Sequence, residues 1–258
     1  MTLPHENVQL PPLLQRFYHR RFTGMLASLI LLLTMAPVVM TVASRTGRAF
    51  SSFLLGVAFV IVYLSAVYTV SKKRQQLKIA SGLSLVTIGA MAAALATDTV
   101  LVWELANLVS MILLAYVIVL TLEYLFRVDQ VTIDTIAAAI CVYLLMGILW
   151  AFVYSLTSQL NPDAFSQDHV PSELAMLVTT DSSGRQPIRF AGLDTGTGLY
   201  FSFVTLTTLG YGDITPQSTP ARMLTAAEAI VGQIYLTVLV ARLVGLHISQ
   251  RGGVSSES

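Results

Sequence analysis

Charge is scarce in this chain. Only 11% of its 258 residues are Asp, Glu, Lys or Arg, while 55% are hydrophobic. Soluble domains carry roughly 25% charged residues, so a water-soluble globule is excluded. Cysteine is nearly absent. The one cysteine, Cys141, sits in an apolar run, so an intrachain disulfide and a cysteine-built metal site are both excluded, and a small buried apolar side chain is the natural reading. An excess of either charge is missing as well: the net charge is +1, and no nucleic-acid partner follows from it. The sequence offers no nucleophile–base set, metal cluster or phosphate loop, so neither an enzyme nor a cofactor is expected. Between Ile79 and Phe126 there is not one Lys or Arg.

Long apolar runs fill the space that charge leaves. A helix needs about 20 apolar residues to cross a bilayer, and six segments meet this: Met25 to Ala43, Ser51 to Val70, Leu77 to Thr97, Leu101 to Phe126, Val131 to Leu160 and Ala221 to His247. The last two are long enough to extend past the hydrocarbon. Basic residues set the orientation. Arg16, Arg20, Arg21, Lys72, Lys73, Arg74, Lys78, Arg127, Arg242 and Arg251 fall on one side. Arg45, Arg48, Arg185, Arg189 and Arg222 fall on the other, with most of the acidic loop residues. Both termini are therefore expected in the cytoplasm. A cleaved signal peptide is the competing reading of the first span, with Thr41-Val42-Ala43 as its cleavage site; the 24-residue lead argues against it. In that leader, Leu10, Leu13, Leu14, Phe17 and Tyr18 recur near helical spacing, with Arg16, His19 and Arg20 on another face. This suits an interfacial helix on the inner leaflet, and equally an ordinary positive flank.

The most informative stretch is Thr205-Leu206-Thr207-Thr208-Leu209-Gly210-Tyr211-Gly212-Asp213, between a short apolar run and the last span. It resembles the selectivity filter of potassium channels, in which Thr-Val-Gly-Tyr-Gly loops from four subunits turn backbone carbonyls toward the ion. Leu209 stands where Val is usual. Gly210 and Gly212 permit the φ values such a loop requires. Leu199 to Thr205 and Leu239 to Gly245 are also similar to the tetrameric potassium channel superfamily, particularly to bacterial six-span channels with a pore domain of the ion channel 2 type. The likeness is strong from about Val131 to His247, while before Thr132 only the span count supports it.

The resemblance implies an all-α membrane protein with six transmembrane helices, a re-entrant pore helix and filter loop, and a pore closed by a homotetramer, since each chain has one filter. Thr208, Leu209, Gly210, Tyr211 and Gly212 would line the filter, with K⁺ held at Thr208, Leu209, Gly210 and Tyr211. Asp194 or Thr195 would cap the pore helix. Its C-terminal end would favour a cation. Tyr200, Phe201, Thr205 and Asp213 would support the filter.

In the last span the resemblance implies a gating hinge at Gly232; a helical glycine costs about 1 kcal/mol relative to Ala, and close helix packing is the rival reason for its presence. Gln233, Leu236, Val240 and Val244 share one face, which would line the cavity and its gate. Glu228 lies about 140° around the helix from Gln233 at 3.6 residues per turn. It is therefore expected to face the pore helix and to bond Ser202, Thr205 or a backbone group.

The organisation expected is a leader at 1–24, a four-helix domain at 25–126 without gating charges, a pore domain at 131–247 and a cytoplasmic tail at 248–258. Voltage sensing needs several mobile charges, so weak voltage dependence is expected. The small residues of Ala80-Ser81-Gly82 and Gly89 to Ala94 predict tight helix contacts. The polar loop from Asn161 to Arg189 reads as an outer turret, with a short helix near Ser172 to Leu177, or as disorder. His169 and His247 are the histidines placed to titrate near neutrality. The partners expected are membrane lipid, K⁺ ions, three further copies of the chain and a gating ligand or subunit of unknown kind, in a bacterial inner membrane. Two rivals stand: a less selective cation channel, and a receptor or accessory subunit that does not conduct. A fused-repeat transporter needs four pore loops in one chain and is disfavoured.

Overall fold

A computed structural model describes residues 21–46, 57–66, 69, 74–97, 99–167 and 195–254. The leader up to residue 20, the loop 168–194 with its proposed short helix and His169, and residues 255–258 lie outside the described residues. The elements in chain order are α1 (Arg21–Thr46), α2 (Val57–Ala66), α3 (Arg74–Thr97), α4 (Val100–Arg127), α5 (Ile133–Leu160), β1 (Phe165–Gln167), α6 (Thr195–Leu206), β2 (Ile214–Pro216) and α7 (Thr219–Val254).

Four of the described helices are long and apolar enough to cross a membrane: Arg74–Ala94, Leu101–Arg127, Ile133–Leu160 and Thr219–Leu246. The chain is a multi-pass membrane protein. Of the first two expected spans, the described apolar helical stretches are the shorter Phe22–Met35 and Val57–Ala66. The last helix continues to Val254, so part of the expected tail is helical; once a helix is nucleated, each added residue gains one backbone bond. The described fold is also not purely helical. β1 and β2 pair antiparallel, with Phe165 opposite Pro216, Ser166 opposite Thr215 and Gln167 opposite Ile214.

Helix α5 is the hub and packs against α1, α4, α6 and α7. Its start is fixed by a reciprocal cap: Thr132 Oγ1 accepts from the Thr135 amide, and the Thr135 side chain accepts from the Thr132 amide. One residue into the helix, Asp134 also serves α1. Its Oδ1 accepts from the amides of Phe22 at 3.0 Å and Thr23 at 3.3 Å, donors that a helix start leaves without partners. Phe22 then stacks on Tyr124 of α4 at 4.7 Å. In α2, Phe59, Val62, Tyr63 and Ala66 are buried at helical spacing, and Phe59 lies 5.8 Å from the Phe152 ring of α5.

The small residues of α3 are used differently from the sequence expectation. Ala80, Ser84, Thr87 and Ala94 are buried, and α3 packs chiefly on α4. Gly82 and Gly89 face open space, with nothing within 4 Å of a Cβ built there. Their spacing puts them on the opposite face of the helix, so they make no tight contact among the described residues.

At its far end α7 is tied to α4. Arg242 donates to the carbonyls of Leu125 at 3.2 Å, Phe126 at 3.0 Å and Val128 at 2.9 Å. Its guanidinium also lies 5.6 Å from the Phe126 ring centroid. A cation at the end of α4 meets the exposed carbonyls and the negative end of the helix dipole.

Candidate ion-conduction site

The site is built around α6, a 12-residue helix held between α5 and α7. Three glycines allow the close approach. A Cβ on Gly147 of α5 would meet Phe203 at 2.5 Å, one on Gly198 would meet the Ala151 carbonyl at 3.2 Å, and one on Gly232 of α7 would meet Leu206 Cδ1 at 2.8 Å. Gly232 thus has a packing reason for being glycine, and α7 runs through it without interruption. Of the expected N-caps, Asp194 lies outside the described residues, and Thr195 is already the first helical residue.

The C-terminal end of α6 closes in a left-handed turn. Thr208 has φ +59°, its amide donates to Thr205 O at 2.9 Å, and the Leu209 amide reaches back to Val204 O at 2.9 Å. This pairing satisfies carbonyls that a helix end otherwise leaves open. A threonine in this conformation is unusual, because its Cβ crowds the backbone. The Leu206 carbonyl receives the Tyr143 hydroxyl of α5 at 3.2 Å.

Beyond that turn the hand of the backbone alternates. Gly210 has φ +57° and Gly212 φ +79°, while Leu209 and Tyr211 between them stay out of the left-handed region. The segment is open in the single chain: Leu209 is 56% and Tyr211 67% exposed. Its outer limb is anchored twice. Tyr200 donates to Asp213 Oδ2 at 2.6 Å, and that bond pushes the Tyr200 phenol up to about 12. β2 then pairs with β1, and Ala164 O accepts the Gln217 amide at 2.8 Å.

Behind α6 lies a buried polar knot. Glu228 of α7 is 0% exposed. It accepts the Tyr154 hydroxyl on Oε2, and Ser202 Oγ lies 2.5 Å from Oε1 and 2.7 Å from the carbonyl oxygen of Gly147. Tyr154, Phe165 and Phe201 pack edge to face at 5.0 to 5.6 Å. Of the two aromatics singled out in the sequence, Tyr200 therefore reaches the loop and Phe201 enters this buried cluster. Thr205 makes no described side-chain bond to Glu228. Tyr154, Tyr143 and Phe165 were not singled out at all. The signal for Tyr154 was a polar-tipped aromatic in an apolar span, which needs a partner when buried. On α7, Gln233, Val240 and Val244 are exposed and Leu236 is half-buried.

Residues 174–247 match the family model described as an ion channel. The match begins outside the described residues and takes in α6, the alternating loop, β2 and most of α7. That stretch is thus similar to an ion channel domain. The chain is similar to a curated protein of Methanocaldococcus jannaschii named probable potassium channel protein 2, at 45% identity over 56 residues. That stretch is 20% of this chain and 16% of the relative, so the chain spans about a sixth of the relative's length. No solved structure matches.

Proposed function

We propose that the chain is one subunit of a potassium-selective channel, in which four copies close a ring of Thr208, Leu209, Gly210, Tyr211 and Gly212 around the ion. The observation that carries this is the alternation of backbone hand at Thr208, Gly210 and Gly212, directly after the C-terminal end of an apolar helix. Alternating hand turns successive peptide planes over, so carbonyls that would otherwise point to opposite sides share one. A ring of such carbonyls replaces the water of K⁺. The ion channel match and the name of the partial relative support the same reading.

In this reading α6 is the re-entrant pore helix, α5 the outer helix and α7 the inner helix. Asp213, Tyr200, Thr205, Phe201 and Glu228 support the filter. Gln233, Leu236, Val240 and Val244 line the cavity, with the two valines forming a gate that dewets when narrow. The inner helix bends, if it bends, at Gly232. The region 25–126 is a four-helix domain without gating charges, so opening depends weakly on voltage. Both termini are cytoplasmic in a bacterial inner membrane.

The test is the reversal potential of the purified protein in planar bilayers, with K⁺ opposed to Na⁺. Reversal near the K⁺ equilibrium value is expected. Reversal near zero would replace selectivity with general cation passage and point to Leu209. Monomers or dimers on cross-linking, with silent bilayers, would leave a non-conducting receptor or accessory subunit.

A further inference from the structure

The knot behind α6 poses a question of proton number. Three contacts join four groups: Tyr154 with Glu228, Glu228 with Ser202, and Ser202 with the Gly147 carbonyl. Each contact needs one hydrogen. A carbonyl has none to give, and a hydroxyl has one. Tyr154 uses its hydrogen on Glu228 Oε2. Ser202 has one hydrogen for two oxygens, at 2.5 and 2.7 Å. If Glu228 were a carboxylate, one of those contacts would set two acceptors face to face, or both would share a single hydrogen and be weakened.

A neutral carboxyl closes the set. Its own O–H donates to Ser202, Ser202 donates to the Gly147 carbonyl, and Tyr154 donates to the remaining carboxyl oxygen. We infer that Glu228 carries a proton in the folded protein, and that this proton is a structural ligand binding α5, α6 and α7 together inside the membrane. The surroundings agree. Among the described residues no basic side chain forms an ion pair with Glu228; the ion pair present there joins Arg127 and Glu123. An unpaired charge this deeply buried is strongly disfavoured. The titratable groups facing Glu228 are Tyr154 and, through space, Tyr143, both from α5. From α6, Ser202 meets it among the described residues. On α7 itself, Arg222 is held by the Pro216 carbonyl and Arg242 by the end of α4.

The site is a proton-binding site rather than a cation site, and it does not depend on ions passing through the protein. It also fixes the direction of every bond, so glutamine is the faithful replacement: its amide donates to Ser202 while its carbonyl accepts from Tyr154. Aspartate is too short to span both partners.

The test is infrared difference spectroscopy of the full-length protein at neutral pH, wild type against Glu228→Gln. The expected result is a carboxylic-acid carbonyl band in the wild type that shifts down in heavy water and is absent from the variant. Carboxylate bands alone would overturn the inference. If Glu228→Gln does not fold, Tyr154→Phe serves instead, because losing the donor to Oε2 shifts the same acid band upward; a carboxylate signal in its place also overturns it. A structural role without the proton predicts equal loss of thermal stability in Glu228→Gln and Glu228→Asp. The proton predicts that glutamine keeps most of it and aspartate does not.

Discussion

Helices α5 and α7 are alike in sequence and opposite in surroundings. Each contributes a 28-residue candidate span, yet 61% of the α5 window is buried inside the chain and 6% of the α7 window. Hydropathy says which segment leaves water; it does not say what covers it. α5 is covered by its own chain, through Cys141, Val142, Leu145, Ile148 and their neighbours. Among the described residues α7 meets its own chain at specific points, among them Glu228 on Ser202 and Tyr154, Gly232 on Leu206, Tyr235 on the Ala139 carbonyl at 2.7 Å, and Arg242 on the end of α4. These contacts set the rotation of α7. They leave Ile230, Ile234 and Val238 open, the surface that the proposed tetramer and the lipid would cover.

The largest effect is expected where only glycine fits the backbone without strain. Gly210→Ala meets open space but a φ of +57°, which disfavours an L-residue by about 1–2 kcal/mol in each of four proposed subunits. We expect loss of K⁺ over Na⁺ discrimination in bilayer currents. An unchanged reversal potential would remove the filter reading.

Next comes the contrast between the two helices. Leu145→Ala, at a fully buried position of α5, should destabilise the subunit by about 2–5 kcal/mol with its oligomer distribution unchanged. Ile234→Ala on α7 should change subunit stability by less than about 0.5 kcal/mol while shifting cross-linked species toward monomer. Equal effects of both on stability would break the comparison.

Gly232→Ala sharpens it. The new Cβ lies 2.8 Å from Leu206 Cδ1 and 3.0 Å from its carbonyl, so about 1–3 kcal/mol of overpacking is expected in thermal denaturation. Leu206→Ala should recover part of that loss. A hinge role instead predicts altered opening that Leu206→Ala does not recover.

Arg242→Gln should weaken the join of α7 to α4 by about 1 kcal/mol, less than a buried charged bond because the site is partly open. Faster hydrogen exchange confined to the ends of α4 and α7 would report it.

The smallest effect is at Tyr200. Its phenol is raised above the ordinary 10 to about 12 by the hydrogen bond to Asp213. The bond therefore contributes fully below pH 10 and is lost as pH rises through about 12. A wild-type transition in that window, absent from Tyr200→Phe, is the expected outcome. Both proteins responding alike would assign the transition elsewhere.

Much of the candidate site was legible in the sequence because it depends on residue type at fixed spacing. Gly210 and Gly212 are the residue type that tolerates the left-handed positions such a loop requires, and a carboxylate inside a span requires a partner on the side its helical angle selects. Tyr154 and Tyr143 were not legible, since an aromatic in an apolar run gives no sign of which helix it will meet, and Phe165 was hidden in a polar loop. The strand pair was missed for a related reason: three residues carry too little alternation to register a strand. Gly82 and Gly89 misled because small residues permit close packing without enforcing it.

The sequence by itself determined that this chain lives in a bilayer, that its last third holds a channel-like loop, and that Glu228 needs an answer. Those follow from transfer energies and backbone sterics, which are local. Only the tertiary structure decided that Gly232 yields to Leu206, that Arg242 closes the end of α4, and that three helices share the hydrogens around Glu228. These are contacts between residues tens of positions apart, and only packing brings them within reach.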